Sequence, residues 1–299
     1  MRKKTLIALF AIAHSLACRS VSTYVVDAPF ESPLPPKIDA DRDGLVDAEE
    51  DALARLYAPL VYLDRDEPNL PASTQWIRAR VRLPFDPDPV DGRKAYIATR
   101  LRAGSRDPRD WVTYAHVYSR KDGGIDMQYW FYFPYNTGAF FFDHDSDWEH
   151  VSIILDNTRT PVGAAYARHR DNAPGPFRPW NALTRLGTHP IVLSARGSHA
   201  SYTDSNDVPF FDHVSGAGPR WRTWENVVNV GEIWAPRKGS EFIALRGQWG
   251  GNGSFWPGTD APEGPAWQRG WCPDGFRGCG PAPVQQAARS KRDTDVRTE

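Results

Sequence analysis

A mainly β fold, an antiparallel β-sandwich, is what this sequence predicts, and three observations predict it. Twelve Trp, eleven Tyr and fourteen Phe stand against two Met, and aromatic side chains suit a pleated, half-buried surface. Twenty-four Gly and 26 Pro supply the turns that many short strands need. From Tyr57 onward, short apolar runs alternate with turn signals such as Asp122-Gly-Gly124 and Asn157-Thr158, the texture of a sandwich of roughly 200 residues with few helices. A formal net charge of -1 leaves no footprint for nucleic acid.

The strands expected in order are Ala58 to Leu63, Lys94 to Leu101, Trp111 to Tyr118, Met127 to Phe133, Val151 to Leu155, Ala164 to His169, Ile191 to Ala195 and Phe242 to Leu245. Their core is expected to use Val61, Tyr129, Phe131, Val151, Ile153, Ile191 and Val192. No internal repeat is visible. This domain spans 57–283, and the polar tail 284–299 is expected to be disordered.

At the start, Met1-Arg-Lys-Lys4 precedes the apolar Thr5-Leu-Ile-Ala-Leu-Phe-Ala-Ile-Ala13. The pattern predicts an export signal over 1–17, too short to span a membrane. Ala17-Cys18 resembles the end of a bacterial lipobox, which implies a lipid on Cys18 that anchors the exported protein to its own membrane at the bacterial cell envelope. Plain secretion, with Cys18 discarded, is the alternative. Cys272 and Cys279 flank a turn-rich loop and are expected to form a disulfide in an oxidising compartment, leaving Cys18 as the odd cysteine.

A Pro-rich tether over 18–37 leads into a calcium loop and helix over 38–56. In Asp39-Ala-Asp41-Arg-Asp43-Gly44-Leu-Val46-Asp47-Ala-Glu-Glu50, oxygen ligands fall at positions one, three, five, nine and twelve, and glycine at six. That is the spacing of an EF-hand calcium loop: Gly44 permits the sharp turn, the Leu45 carbonyl supplies the seventh position, and Glu50 can bind through both oxygens. A helix from Asp47 to about Leu56 leaves the loop, while prolines before Ile38 bar an incoming helix. The loop is therefore half a hand, suited to a structural calcium clip; an acidic first helical turn is the plain alternative.

The second acidic motif follows Tyr129-Trp-Phe-Tyr-Phe-Pro-Tyr-Asn136. Asp143-His-Asp-Ser-Asp-Trp-Glu-His150 sets Asp143, Asp145, Asp147 and Glu149 at alternate positions. In a fully extended chain all four share one face, where like charges repel and a cation relieves them. Asp147 and Glu149 alternate in phase with Val151 and Ile153, at the mouth of a buried strand. Oxygen donors beside an imidazole suit Mg, Ca or Mn; solvated acids of a polar hairpin are the other reading. A further stretch, His189 to Tyr202, reads as a strand ending in a Gly197-Ser198 turn that presents His199 and Tyr202. His199 is then a general base, a partner of a metal ligand or a ligand itself, or simply a bond to loop backbone. Without a Gly-x-Ser-x-Gly elbow, Ser198 is a poor nucleophile.

Four segments carry a resemblance: Tyr57 to Pro71, Gln128 to Asn136, Asp147-Trp-Glu-His150, and Gly197-Ser-His-Ala-Ser-Tyr202. In this order they resemble the vacuolar protein sorting-associated protein 62 family, over about Arg55 to Trp271. That family has no settled biochemical activity, so the resemblance implies a fold. The central motif is also similar to the Gly-His-Arg-His-Asp-Trp-Glu signature of necrosis-inducing cytolytic toxins, β-sandwich proteins whose divalent ion sits in a cleft that docks on sphingolipid head groups. This implies His144, Asp147 and Glu149 as metal ligands, with Asn136 where the toxins have aspartate. Asp143, Asp145 and Ser146 depart from the toxin pattern, and His144 can join Asp147 only if a turn lies between them.

Three functions follow as expectations: a metal-binding, toxin-like protein that recognises a lipid or glycan head group through magnesium or calcium; a metal-dependent hydrolase with His199 or His150 as base; or a structural surface lipoprotein. No leaving-group acid or phosphate clamp is visible for the second, and the protein is expected more as a binder than as an enzyme.

Overall fold

The computed structural model describes residues 37–82, 97–138, 142–169, 175–251 and 260–271. The expected export signal over 1–17, Cys18, Cys272, Cys279 and the expected tail over 284–299 lie outside the described residues. The first element after the acidic loop is α1 (Asp47–Tyr57), close to the expected helix. Asp47, Glu49 and Glu50 in its first turn complement the helix dipole. It ends where Ala58 precedes Pro59, because a residue before proline is pushed out of the α region.

Next come β1 (Leu60–Tyr62), α2 (Thr74–Arg78) and α3 (Thr99–Arg102). The long strands follow: β2 (Thr113–Ser119), β3 (Ile125–Asn136), β4 (His144–Leu155) and β5 (Pro161–Tyr166). Shorter ones complete the chain: β6 (Phe177–Pro179), β7 (Arg185–Leu186), β8 (His189–Ser194), β9 (Ser201–Tyr202), β10 (Arg220–Arg222), β11 (Val227–Asn229), β12 (Gly231–Glu232) and β13 (Ala235–Pro236).

The larger sheet has the order β11-β2-β3-β4-β5-β6; the smaller runs β10-β1-β8-β7, with β9 added on β8. The fold is mainly β, as expected, but the sheets are mixed. β1 runs parallel to β8, and β11 parallel to β2. The antiparallel-only expectation is corrected here: these strands are joined by long excursions rather than tight turns, and a long crossover allows a parallel return.

Between the sheets, Val61, Val192 and Trp221 of the smaller one meet Tyr129, Phe131, Phe133, Val151 and Ile153 of the larger in one apolar cluster. Leu45, Ala54 and Tyr57 from the acidic loop and α1 belong to the same cluster. The opposite face of the larger sheet is also covered: Trp130, Tyr132 and Trp148 pack with Ile77, Leu101, Phe242, Trp249 and Trp271. A strand buried on both faces has no polar side, which is why Tyr129 to Phe133 is apolar without alternation.

Two expected strands and one core residue differ. Thr99–Arg102, overlapping the end of the expected strand Lys94 to Leu101, is helical; Ile97, just before that turn, and Leu101 within it both pack into the second core. Phe242 to Ala244 belong to a 3₁₀ turn, Glu241–Ala244, that inserts Phe242 and Ile243 together, which a strand's alternation forbids. Ile191 is only partly buried, because the alternation of β8 turns Val192 inward instead.

Candidate functional site

Ser146 decides the geometry at the outer end of β4. Its φ of 56° is left-handed, and its hydroxyl is fixed between the Trp249 carbonyl and the Tyr132 hydroxyl. The chain is therefore not uniformly extended, and the four carboxylates do not act as one row. Asp143 is exposed. Asp145 accepts from the Ile97 and Gly251 amides at 2.8 and 3.2 Å and lies 3.4 Å from Arg102, so it serves the second core. Asp147 and Glu149 remain as a pair, opposite Phe133 and Phe131 of β3 and in phase with Val151 and Ile153, as expected.

The Arg196-Gly-Ser-His turn brings His199 to them. Gly197 has φ 77° and His199 φ 55°, and the His199 amide closes the turn on the Ala195 carbonyl. The imidazole lies flat on Phe133, with centroids 3.7 Å apart. Its Nδ1 is 2.8 Å from Asp147 Oδ2 and its Nε2 3.3 Å from Glu67 Oε1. Two carboxylates on two ring nitrogens require the doubly protonated ring, since each nitrogen must donate. Burial opposes that charge, but Glu67 and Asp147 overcome it and raise the histidine to about 9.

Glu149 is in the opposite position. Burial, then the charges of Asp147 and Asp212, push its carboxyl well above the usual range. Its Oε2 is buried without a hydrogen-bond partner among the described residues. Asp212 is the hub of the outer wall: Ser198 Oγ, Tyr202 OH and His169 Nε2 all bond to it, at 2.5–2.8 Å. Against the cost of burial, those bonds hold Asp212 below the ordinary carboxylate range.

Ser198 and Asp212 also line a cavity of ≈ 430 Å³, with Arg196, Gly197, Asp66 and Phe211. Phe210, beside it in sequence, is 91% exposed. Sequence reasoning missed Glu67 and Asp212. Glu67 lies in the Tyr57 to Pro71 segment that carries the resemblance, which implied no role for it, and Asp212 sits in a loop, Phe211-Asp-His213, without a local signal.

The remaining candidates fall elsewhere. Asn136 and His144 oppose each other across β3 and β4, and their side chains bond to the Phe142 and Ser146 carbonyls, at 2.9 and 2.7 Å. The turn that His144 needed is present at Ser146, yet its imidazole is spent on that turn. His150 points to the other face of the sheet, stacked 4.3 Å from Trp130, and burial lowers it to about 3. Among the described residues, the groups of three or more His, Cys, Asp or Glu with ligand atoms within 4.8 Å of one another are in the N-terminal loop and the first turn of α1: Asp39, Asp41 and Asp43, and Asp41, Asp47 and Glu50. Burial and mutual repulsion raise Asp41 to about 6 and Glu50 to about 8. Leu45 packs into the main core.

No family model matches this chain. Vacuolar protein sorting-associated protein 62 of Saccharomyces cerevisiae is similar over 170 residues at 28% identity, covering 45% of this chain and 36% of the yeast protein. The match thus spans about a third of that relative's length. Among solved structures, NLPPya in complex with glucosamine is similar at 14% identity and a TM-score of 0.39, covering 69% of this chain and 79% of that one. Necrosis and Ethylene inducing Protein 2 from the causal agent of cocoa's Witches Broom disease gives 15% and 0.33, over 56% and 68%. The non-toxic HaNLP3 protein gives 14% and 0.37, over 65% and 77%. Both groups that the motifs resemble are therefore among the similar proteins.

Proposed function

We propose that this protein is exported, held at the cell envelope by a lipid on Cys18, and recognises a lipid or glycan head group in the cleft beside Asp147 and Glu149 through a divalent cation, magnesium or calcium. The observation that carries the reading is Glu149 Oε2, a buried carboxyl oxygen with no partner among the described residues, next to a second carboxylate. Such an arrangement is costly unless a cation completes it. Oxygen donors of this kind take a hard cation, and Asn136 and His144 stand at the same strand mouth as additional donors if their backbone bonds are exchanged. His199, bound to Asp147, orients that carboxylate from behind. The half-exposed Phe211 of the cavity lining, with the exposed Phe210 packed edge-on against it, gives a lipid-bearing ligand an apolar contact.

The hydrolase reading is weaker. Both nitrogens of His199 are engaged by carboxylates and His150 lies on the other face of the sheet, so neither is a free base for a cation-bound water.

The test is Asp147→Asn with Glu149→Gln, read by metal content, melting temperature and binding to vesicles with and without a glycosylated sphingolipid, and to a glycan array. Head-group recognition predicts loss of metal and of binding with little change in melting temperature, because the amides remove repulsion along with affinity. Lower thermal stability with unchanged binding would mean a structural ion, and unchanged metal content would mean that the cleft holds none.

A further inference from the structure

Among the described residues, buried carboxylate oxygens without a partner are concentrated not in the cleft but in the loop before α1 and the first turn of that helix. Asp41 and Glu50 are 1% and 0% exposed. Both carboxylate oxygens of Asp41, with Asp39 Oδ1, Asp43 Oδ2 and Glu50 Oε1, are buried without a hydrogen-bond partner among the described residues. Asp41 is common to the two groups whose ligand oxygens lie within 4.8 Å of one another. A solvated acidic helix turn does not look like this, since water satisfies exposed carboxylates and cannot reach these.

The loop is shaped from within and clamped from without. Arg42 and Gly44 take left-handed φ values of 59° and 96°. The amides of Gly44, Leu45 and Ala40 donate to Asp39 Oδ2, Asp43 Oδ1 and Asp47 Oδ1, which turns the other oxygens of Asp39 and Asp43 inward. Clamping comes from residues far along the chain. Trp234 Nε1, in the β12–β13 hairpin, donates to the Asp41 carbonyl at 2.7 Å, and Ser119 Oγ of β2 to the Asp43 carbonyl at 2.9 Å. Arg237, which follows the hairpin, bonds Asp47 Oδ2 and Glu50 Oε2 at 2.8 and 2.5 Å. Asn229 also donates to Glu50 Oε2. Glu232 of β12, 1% exposed, adds a further buried carboxylate whose Oε2 has no partner among the described residues.

We propose that a calcium ion is held by Asp39, Asp41, Asp43 and Glu50, and that the Gly231–Pro236 hairpin takes the place of a second hand, so that the ion fastens the N-terminal loop to the sheets. Arg237 and Asn229 occupy one oxygen of Glu50, so Glu50 offers the ion Oε1 alone and not the two oxygens that the spacing implies. The donors are all oxygen, which selects a hard cation, and calcium accepts an irregular set of oxygens where magnesium demands a near-ideal octahedron. Trp234 and Arg237 grip the backbone and the last ligand of the same loop. Order gained at the ion therefore passes to the hairpin.

The experiment uses the full chain, stripped with chelator and returned to calcium, beside Asp41→Asn with Asp43→Asn. The amides remove affinity and repulsion together, and Asp147 and Glu149 stay intact, so any cleft ion is counted equally in both proteins. Calorimetric titration is expected to find one calcium fewer in the variant. The wild type is expected to melt about 5–10 °C higher with calcium at roughly 100 times Kd, and the variant to lose that rise. Calcium should slow amide exchange in residues 39–45 and 231–237 of the wild type together. Equal calcium counts in the two proteins would overturn the site. Exchange that slows in the loop while the hairpin is unchanged would overturn the hairpin's role, and this reading uses the wild type alone, whatever the variant's folding.

Discussion

Asp126 is buried on β3, across from Tyr118 of β2 and Ile154 of β4. Burial raises its carboxyl from 3.8 to about 7, with Arg120, Tyr118, His116 and Ser152 offsetting part of the effect. Its Oδ1 has no hydrogen-bond partner among the described residues. The folded-state value lies above the unfolded one, so between 3.8 and about 7 the folded chain keeps a proton that the unfolded chain has lost. Stability is consequently lost as pH rises through that window, and the full cost is felt above it. A shift of this size corresponds to roughly 4 kcal/mol. Asp126→Asn cannot ionise and keeps the shape. Allowing about 1 kcal/mol for weaker bonds to the amide, the variant should be more stable than wild type by roughly 3 kcal/mol near pH 8 and nearly equal to it near pH 4. Urea unfolding of both proteins at the two pH values measures the difference, in which all other titrating groups cancel. A variant less stable than wild type near pH 8, or a gain independent of pH, would refute the reasoning.

Two further outcomes are expected near the cleft. Gly197→Ala puts a Cβ 2.6 Å from the Thr137 carbonyl at φ 77°, and should cost roughly 1–3 kcal/mol in chemical denaturation; wild-type stability would mean that the His199 turn tolerates a shift. Phe210→Ser removes a 91% exposed ring and should leave stability within about 0.5 kcal/mol of wild type, while weakening binding to sphingolipid vesicles in a flotation assay. Unchanged flotation would take Phe210 out of the binding surface.

Several features were legible in the sequence because they depend on neighbours in the chain. The spacing Asp39-x-Asp41-x-Asp43-Gly44 fixes a tight turn and the run after it fixes α1, including its stop before Pro59. The apolar run Tyr129 to Phe133 and the β-branched run from Val151 fix two central strands, and their alternation correctly puts Asp147 and Glu149 on the core side of β4. Other features only the tertiary structure decided. Ser146 broke the expected row of four carboxylates because a left-handed residue is stabilised there by Trp249, 103 residues away. Glu67 reaches the Gly197 amide across 130 residues because β1 lies parallel to β8, a neighbour relation that no local period encodes. In the same way, the hairpin at Trp234 grips Asp41 from 193 residues on. Local spacing sets which oxygens a loop can offer. Which of them are cut off from water depends on what the rest of the chain packs over them.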